Sequence, residues 1–279
     1  MEAIPRTAAD SAAAGTGVGT AHDVARLVGA DRVLAVLREL AERPAGASLD
    51  ELSRATRSPK ATVHRALASL RRAGLAAQDG PGHYQLGDDF LRLAFTHHEA
   101  RPDHVRVRPA LEALAHRFGE TAHYAVLDAA SDNGSVVYRA KVDPPTGGVR
   151  LTSAVGGRNA AHTTAVGKLL LAFALPDDDA VRAWARHRTF AARTPATLTS
   201  TDALVAALAA VRQDGYAVDD EENEPGIVCI AVPARLTSAT RPSGAVSVSA
   251  VRFRTPLEDL RAAVGEIRSI VDGGTVVPT

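Results

Sequence analysis

The chain lacks the features that mark secreted or membrane-spanning proteins. It contains one cysteine, Cys229, among 279 residues, which excludes an intramolecular disulfide and is typical of a reducing cytoplasm. The longest wholly apolar run, Leu169 to Leu175, is far shorter than the roughly 18 residues of a membrane span. Residues 1–22 contain charged side chains and lack the apolar core of a signal peptide. We therefore expect a cytoplasmic protein with a disordered tail over residues 1–22 and no membrane partner.

The chain as a whole also lacks an excess of either charge, with 32 basic and 32 acidic residues. Residues 26–87 differ, because ten Lys or Arg stand there against six Asp or Glu, a local net charge of +4. A basic module within a neutral protein is typical of a domain that neutralises DNA phosphates. The charge distribution therefore points to nucleic acid as a partner of the N-terminal part.

The segment from Ser48 to Gly87 predicts a winged helix-turn-helix. Apolar residues recur at helical spacing through Leu49 and Leu52, with Ser48 as a candidate N-cap. Ser58 and Pro59 predict the N-cap and first turn of a second helix, which Gly74 ends in a left-handed conformation. Residues 75–78 and 83–86 then predict the two strands of a wing.

The second helix has an apolar face and a basic face. In helix-turn-helix proteins the N-terminal residues of this helix reach base edges in the major groove, so we expect double-stranded operator DNA as a partner. The pattern does not separate the residues that specify bases from those that position the protein. The predicted DNA-binding residues are Ser58, Lys60, Thr62, His64, Arg65, Arg71 and His83.

The remainder of the chain predicts an α+β domain, because strands alternate with helices and several strands are adjacent in sequence. A linker helix over residues 88–99 precedes it and is broken at Pro102. Helices are predicted at 108–118, 163–174, 177–186, 201–213 and from 256 onward, and strands at 121–127, 135–142, 149–154, 216–219, 227–233 and 245–251.

Several motifs together resemble the IclR family of bacterial transcriptional regulators over residues 26–272. They are GGR with HTTAVGK (156–168), GYAVDDEE (215–222), GIVCIAVP (226–233), residues 244–249, and YQLG (84–87) at the end of the winged helix. The resemblance implies a winged helix-turn-helix domain at 26–87, a linker helix at 88–101 and a GAF-like effector-binding domain at 102–279. It also implies a homodimer or homotetramer, and it favours repression over activation.

The resemblance further implies a pocket for a small-molecule effector. A helix that opens at Thr163 to Val166 offers free N–H groups to a carboxylate, and alternate residues of the last strand share one face. We therefore expect a carboxylic acid, although the family takes effectors of several classes. The bulkier Ala165 and Val166 stand where relatives that bind very small keto acids have Gly-Ala. The positions that match the family's pocket are Ala165, Val166, Asp219, Cys229, Ser247 and Ser249.

Other functions were weighed against this interpretation. An enzyme would use Cys229 as nucleophile with His162 or His123 as base, but burial in an apolar strand raises a thiol's pKa, so we expect no enzyme. The histidines at 97, 98, 116 and 123 lack zinc-ligand spacing, so no metal or cofactor is expected. A metal-responsive regulator, and a C-terminal domain that only oligomerises, remain open as alternatives.

Overall fold

The computed structural model describes residues 29–100, 102–128, 131, 134–145 and 151–274. The expected disordered tail at residues 1–22 lies outside the described residues. The chain divides into two compact units, with the boundary between Ala94 and Phe95. Among the described residues, no helix is both long enough and apolar enough to cross a membrane.

The first unit has the predicted winged helix-turn-helix fold. Its three-stranded antiparallel sheet has the order β1-β3-β2. The sequence analysis did not identify its first helix or its first strand. The elements are α1 (Ala30–Ala41), β1 (Ala47–Ser48), α2 (Leu49–Ala55), α3 (Lys60–Arg72), β2 (Ala76–Gln78) and β3 (His83–Leu86), followed by α4 (Asp88–Glu99), which crosses the unit boundary.

A capping box begins α2. The Glu51 N–H donates to the Ser48 hydroxyl over 3.3 Å, and the Ser48 N–H donates to the Glu51 carboxylate over 2.7 Å. These bonds satisfy two donors that the helix itself leaves without acceptors. The predicted N-cap role of Ser48 is therefore confirmed. Gly74, with a φ of 68°, likewise confirms the left-handed end of α3.

The predicted N-cap role of Ser58 is wrong. Pro59 occupies the N-cap position of α3, and its carbonyl accepts from the Thr62 and Val63 N–H groups over 2.8 and 3.1 Å. The Ser58 hydroxyl instead donates back to the Thr56 carbonyl over 3.1 Å. Because the proline ring holds φ near −65°, the chain enters the helix one residue later than the pattern suggested.

The second unit is a six-stranded antiparallel sheet between two layers of helices. The strand order is β6-β5-β4-β9-β8-β7. One face packs on α5, α9 and α10 and the other on α6, α7 and α8, which is the α+β arrangement expected. The elements are α5 (Pro102–Phe118), β4 (Thr121–Leu127), β5 (Ser135–Val142), β6 (Arg158–Ala160), a 3₁₀ turn (Ala161–Thr163), α6 (Ala165–Ala174), α7 (Asp178–Ala185), α8 (Thr201–Asp214), β7 (Ala217–Asp220), β8 (Ile227–Ala234), β9 (Gly244–Val251), α9 (Leu257–Ala262) and α10 (Val264–Gly274).

Two predicted elements differ from the structure. The helix predicted at 108–118 begins at Pro102, because proline is tolerated in the first turn of a helix. The strand predicted at 149–154 is wrong for its described part, 151–154, which is irregular. The Leu151 and Ser153 carbonyls there accept from the Lys141 ammonium, each over 2.8 Å. The strand beside β5 is β6 instead.

The capping box gives a first prediction. Ser48→Ala removes the acceptor of the Glu51 N–H, so the first unit should lose about 1 kcal/mol of stability. Amide hydrogen exchange in α2 should become faster. Ser69→Ala is the control, because the Ser69 hydroxyl donates back within α3 to the Arg65 carbonyl and caps no helix. Equal exchange in both variants would mean that the cap contributes nothing.

Candidate functional site

The first candidate site is the outer surface of α3 and the wing. Four predicted DNA-binding residues, Lys60, His64, Arg65 and Arg71, are exposed, whereas Ser58, Thr62 and His83 are half-buried. Val63, Ala66, Leu67 and Leu70 fill the core on the opposite side. The basic face is therefore free to meet a partner. That these seven residues touch DNA stays a prediction.

Lys60 has a partner within the first unit. Its ammonium lies 2.7 Å from the Asp50 carboxylate of α2, and both side chains are well exposed. An exposed ion pair of this kind contributes little to stability. It does lower the local charge that Lys60 presents to an anion.

The second candidate site is a cavity of about 270 Å³ in the second unit. It lies on the α6 face of the sheet, at the N-terminus of that helix. The structure brings all six residues of the predicted effector site to its wall: Ala165, Val166, Asp219, Cys229, Ser247 and Ser249. They come from four elements that are up to 84 residues apart along the chain, as the numbering from Ala165 to Ser249 shows.

Strand register explains how the polar residues meet. Asp219 of β7 pairs with Cys229 of β8, which in turn pairs with Ser249 of β9. Ser247 pairs with His123 of β4. Because side chains alternate between the two faces of a strand, these five residues project from one face across four neighbouring strands. They form the polar floor of the cavity.

His123 was not among the predicted site residues. It is 3% exposed, its Nε2 lies 2.7 Å from the Ser153 hydroxyl, and its Nδ1 lies 3.3 Å from the Ser249 hydroxyl. Burial, aided by the charge of Lys141, lowers the pKa of His123 to about 3. At neutral pH the ring therefore carries no charge and acts as a hydrogen-bonding partner.

Asp219 is the buried acid of the cavity. Its carboxylate accepts the Glu222 and Asn223 N–H groups over 2.7 and 3.3 Å. Burial raises the pKa of Asp219 to about 7, with a further contribution from the nearby Glu222 charge. Near neutral pH the group is therefore divided between its protonated and ionised forms.

A buried ion pair supports the cavity. The Lys168 ammonium of α6 donates to the Glu222 carboxylate after β7, and both residues are less than a tenth exposed. Burial raises the pKa of Glu222, while the Lys168 charge opposes that shift. The pair ties the helix above the cavity to the loop that positions Asp219.

Two features hold the opening of α6 against the cavity. The Thr164 hydroxyl accepts the Gly167 N–H over 3.1 Å and caps the helix. Ala165 and Val166 supply the N–H groups of the first turn, where a helix provides no acceptors of its own. A Cβ on Gly167 would lie 2.2 Å from the Ala161 carbonyl oxygen, so only glycine permits this close approach.

Further lining residues were missed for an identifiable reason. The Tyr138 hydroxyl accepts from the Asn159 side chain over 3.3 Å, and burial raises the pKa of Tyr138 to about 12. Arg193 lies in an irregular segment and donates to the Asn223 carbonyl over 2.9 Å. The alternation of β5 was a usable signal for Tyr138, because its side chain shares a face with that of Val136. Arg193 had no such signal.

The two residues proposed for a catalytic pair behave differently from a catalytic pair. Burial, followed by the Asp219 charge, raises the pKa of the Cys229 thiol, so the thiol is neutral and unreactive. The His162 ring packs on Phe190 and lies 3.4 Å from the Ala191 carbonyl. His162 is not part of the cavity wall.

Comparison with known proteins identifies the family. The model described as bacterial transcriptional regulator IclR, C-terminal, matches residues 104–272, and the IclR helix-turn-helix domain matches residues 29–80. The chain belongs to the IclR family. It is thus a DNA-binding transcriptional regulator with a helix-turn-helix domain, and its relatives are regulators rather than enzymes.

Individual relatives resemble most of the chain. The HTH-type transcriptional regulator XynR of Escherichia coli (strain K12) is 31% identical over 226 residues, which covers 80% of this chain and 86% of that protein. KdgR of the same organism is 35% identical over 207 residues, covering 72% and 74%. A crystal structure of a transcriptional regulator from Rhodococcus sp. RHA1 is 30% identical, with a TM-score of 0.71, and covers 88% of this chain and 96% of that one.

The buried acid gives a prediction about pH. The folded-state pKa of Asp219 is raised, so its unfolded form loses the proton first as pH rises from about 4. Asp219→Asn should therefore become increasingly stabilising between pH 4 and about 7, by at most about 1.4 kcal/mol per pH unit, and then level off. Urea unfolding followed by Trp184 fluorescence measures the second unit, which contains the only tryptophan.

Asp272→Asn, an exposed substitution on α10, serves as the control and should show no such growth. A difference between Asp219→Asn and the parent that stays constant from pH 4 to pH 8 would contradict the raised pKa.

Proposed function

We propose that this chain is a transcriptional repressor that binds double-stranded operator DNA as a homodimer or homotetramer. A small carboxylic acid, bound in the cavity under α6, controls it. The observation that carries the effector half of the proposal is the convergence of Ala165, Val166, Asp219, Cys229, Ser247 and Ser249 on one cavity.

The chemistry of the wall supports an acid as the effector. The first turn of α6 offers unpaired N–H groups and the positive end of its dipole. Arg193 supplies a cation at the wall. Opposing charge inside is small at mildly acidic to neutral pH, because His123 is neutral and Asp219 is partly protonated. A carboxylate therefore meets donors at the helix and little repulsion from the floor.

The remaining wall supports an effector that also has hydroxyl or carbonyl groups. No hydrogen-bond partner of the buried Ser247 hydroxyl is found among the described residues. The hydroxyl of Tyr138 and the amide of Asn159 lie on the same wall. Buried polar groups of this kind discriminate strongly in favour of ligands that satisfy them.

The exposed apolar side chains of α4 support self-association. Leu91, Leu93 and Phe95 are 44%, 53% and 61% exposed. Large apolar side chains clustered on one helix are unusual on a monomer's surface and are typical of a protein interface. A second copy of this chain is the proposed occupant, since a symmetric dimer presents two recognition helices to the half-sites of an operator.

Effector binding is tested by thermal unfolding of the full chain with a panel of oxo, hydroxy and aromatic carboxylic acids. At least one acid should raise the unfolding temperature of the second unit, seen by Trp184 fluorescence. Ser247→Ala should weaken binding of that acid by roughly tenfold, and the exposed Ser269→Ala should leave it unchanged. Stabilisation by none of the acids would favour a domain that only oligomerises.

Base reading by α3 is tested with Arg65→Ala. If Arg65 makes a bidentate contact with a base, the loss should be about 1–3 kcal/mol at one operator position. Binding to duplexes from the region upstream of its own gene, varied one position at a time, measures this. Uniform weakening at every position would make Arg65 a phosphate contact instead.

A further inference from the structure

The turn between α2 and α3 holds an arginine in an unfavourable backbone conformation. Arg57 has a φ of 48°, in the left-handed region where the Cβ of an L-residue crowds the following carbonyl oxygen. Glycine adopts this conformation without that cost, and asparagine tolerates it. An arginine at such a position needs an explanation that lies outside the backbone.

Neighbouring hydrogen bonds impose the conformation. The Thr56 hydroxyl donates to the Leu52 carbonyl over 2.7 Å, and the Ser53 hydroxyl donates to the Ser58 carbonyl over 2.6 Å. The Arg57 N–H donates to the Arg54 carbonyl over 3.2 Å. The turn therefore requires only the backbone at residue 57, and glycine would satisfy it better than arginine.

The Arg57 side chain also has no use within the described structure. It is exposed, and no ion pair or hydrogen bond of its guanidinium is found among the described residues. The two neighbouring cations differ. Lys60 is paired with the Asp50 carboxylate, and the Arg54 guanidinium donates to the Asp50 carbonyl over 3.4 Å. Of these three cations, Arg57 is the one without a partner.

We infer that Arg57 binds a phosphate of the DNA backbone at the edge of the major groove. The inference rests on the proposed binding of operator DNA. In helix-turn-helix docking the start of α3 enters the groove, so the turn that precedes it lies beside the backbone. A guanidinium matches the geometry of a phosphate, with two parallel N–H donors. The unfavourable backbone is retained because glycine would remove that contact.

The test compares salt dependence with stability. Affinity for a random-sequence duplex of about 30 base pairs, which is long enough for two half-sites, is measured over a range of salt concentrations. Arg57→Gly should reduce the slope of log affinity against log salt by about 0.9, the contribution of one phosphate. Arg57→Lys should keep the parental slope. Arg92→Ala, which removes an exposed arginine of α4, is the matched control and should also keep it.

Stability supplies the second measurement. Because Arg57→Gly relieves the left-handed arginine, amide exchange in α2 and α3 should be as slow as in the parent or slower. A parental slope in Arg57→Gly would overturn the inference while leaving DNA binding intact. A reduced slope together with faster exchange would also overturn it, because the arginine would then act through the fold. If the parent binds no duplex at low salt, the proposed function fails with it.

Discussion

The candidate effector site depends on the two-residue repeat of the antiparallel sheet. In β8 and β9 one set of alternate residues, including Val228, Ile230, Val246 and Val248, fills the core beneath α5 and α10. The other set carries Cys229, Ser247 and Ser249 to the cavity. A shift of one residue in register would exchange the two sets, placing hydroxyls in the core and valines in the cavity. The packing of the core therefore holds the polar floor in place.

This dependence explains how much of the site could be predicted. Residues within one strand, such as Ser247 and Ser249, are related by simple alternation, and the family motifs marked Ala165 and Asp219. His123 belongs to the same floor only because β4 pairs with β9. That pairing joins residues more than 120 positions apart, and no local pattern encodes it. Arg193 reaches the cavity from an irregular segment, where periodicity carries no information.

The same contrast applies to the fold. Helices with a clear apolar face and a capping residue, such as α2 and α8, were predicted to within about one residue at each end, because local interactions determine their boundaries. The error at 149–154 arose where a long-range contact prevailed. The carbonyls of Leu151 and Ser153 bind the Lys141 ammonium, whereas a β-strand would commit them to a neighbouring strand. An apolar pattern indicates that a segment has strand propensity, but not whether an edge is available to pair with it.

The two units use charge in opposite ways. In the first unit the cations stay exposed, so their attraction for an anion is long-ranged and depends on salt. In the second unit burial suppresses charge, since His123 is neutral and Cys229 stays a thiol. Such a cavity recognises shape and hydrogen-bond geometry more than net charge.

The Lys168–Glu222 pair has a consequence for how the family site can change over generations. Loss of either partner alone would leave an ion stranded in the interior, at about 3–5 kcal/mol, whereas an apolar pair of similar volume is often tolerated. Single-step substitution at either position is therefore a dead end for the lineage. Residues 168 and 222 are expected to be inherited as a linked couple, so that the helix and loop bordering the cavity diverge together.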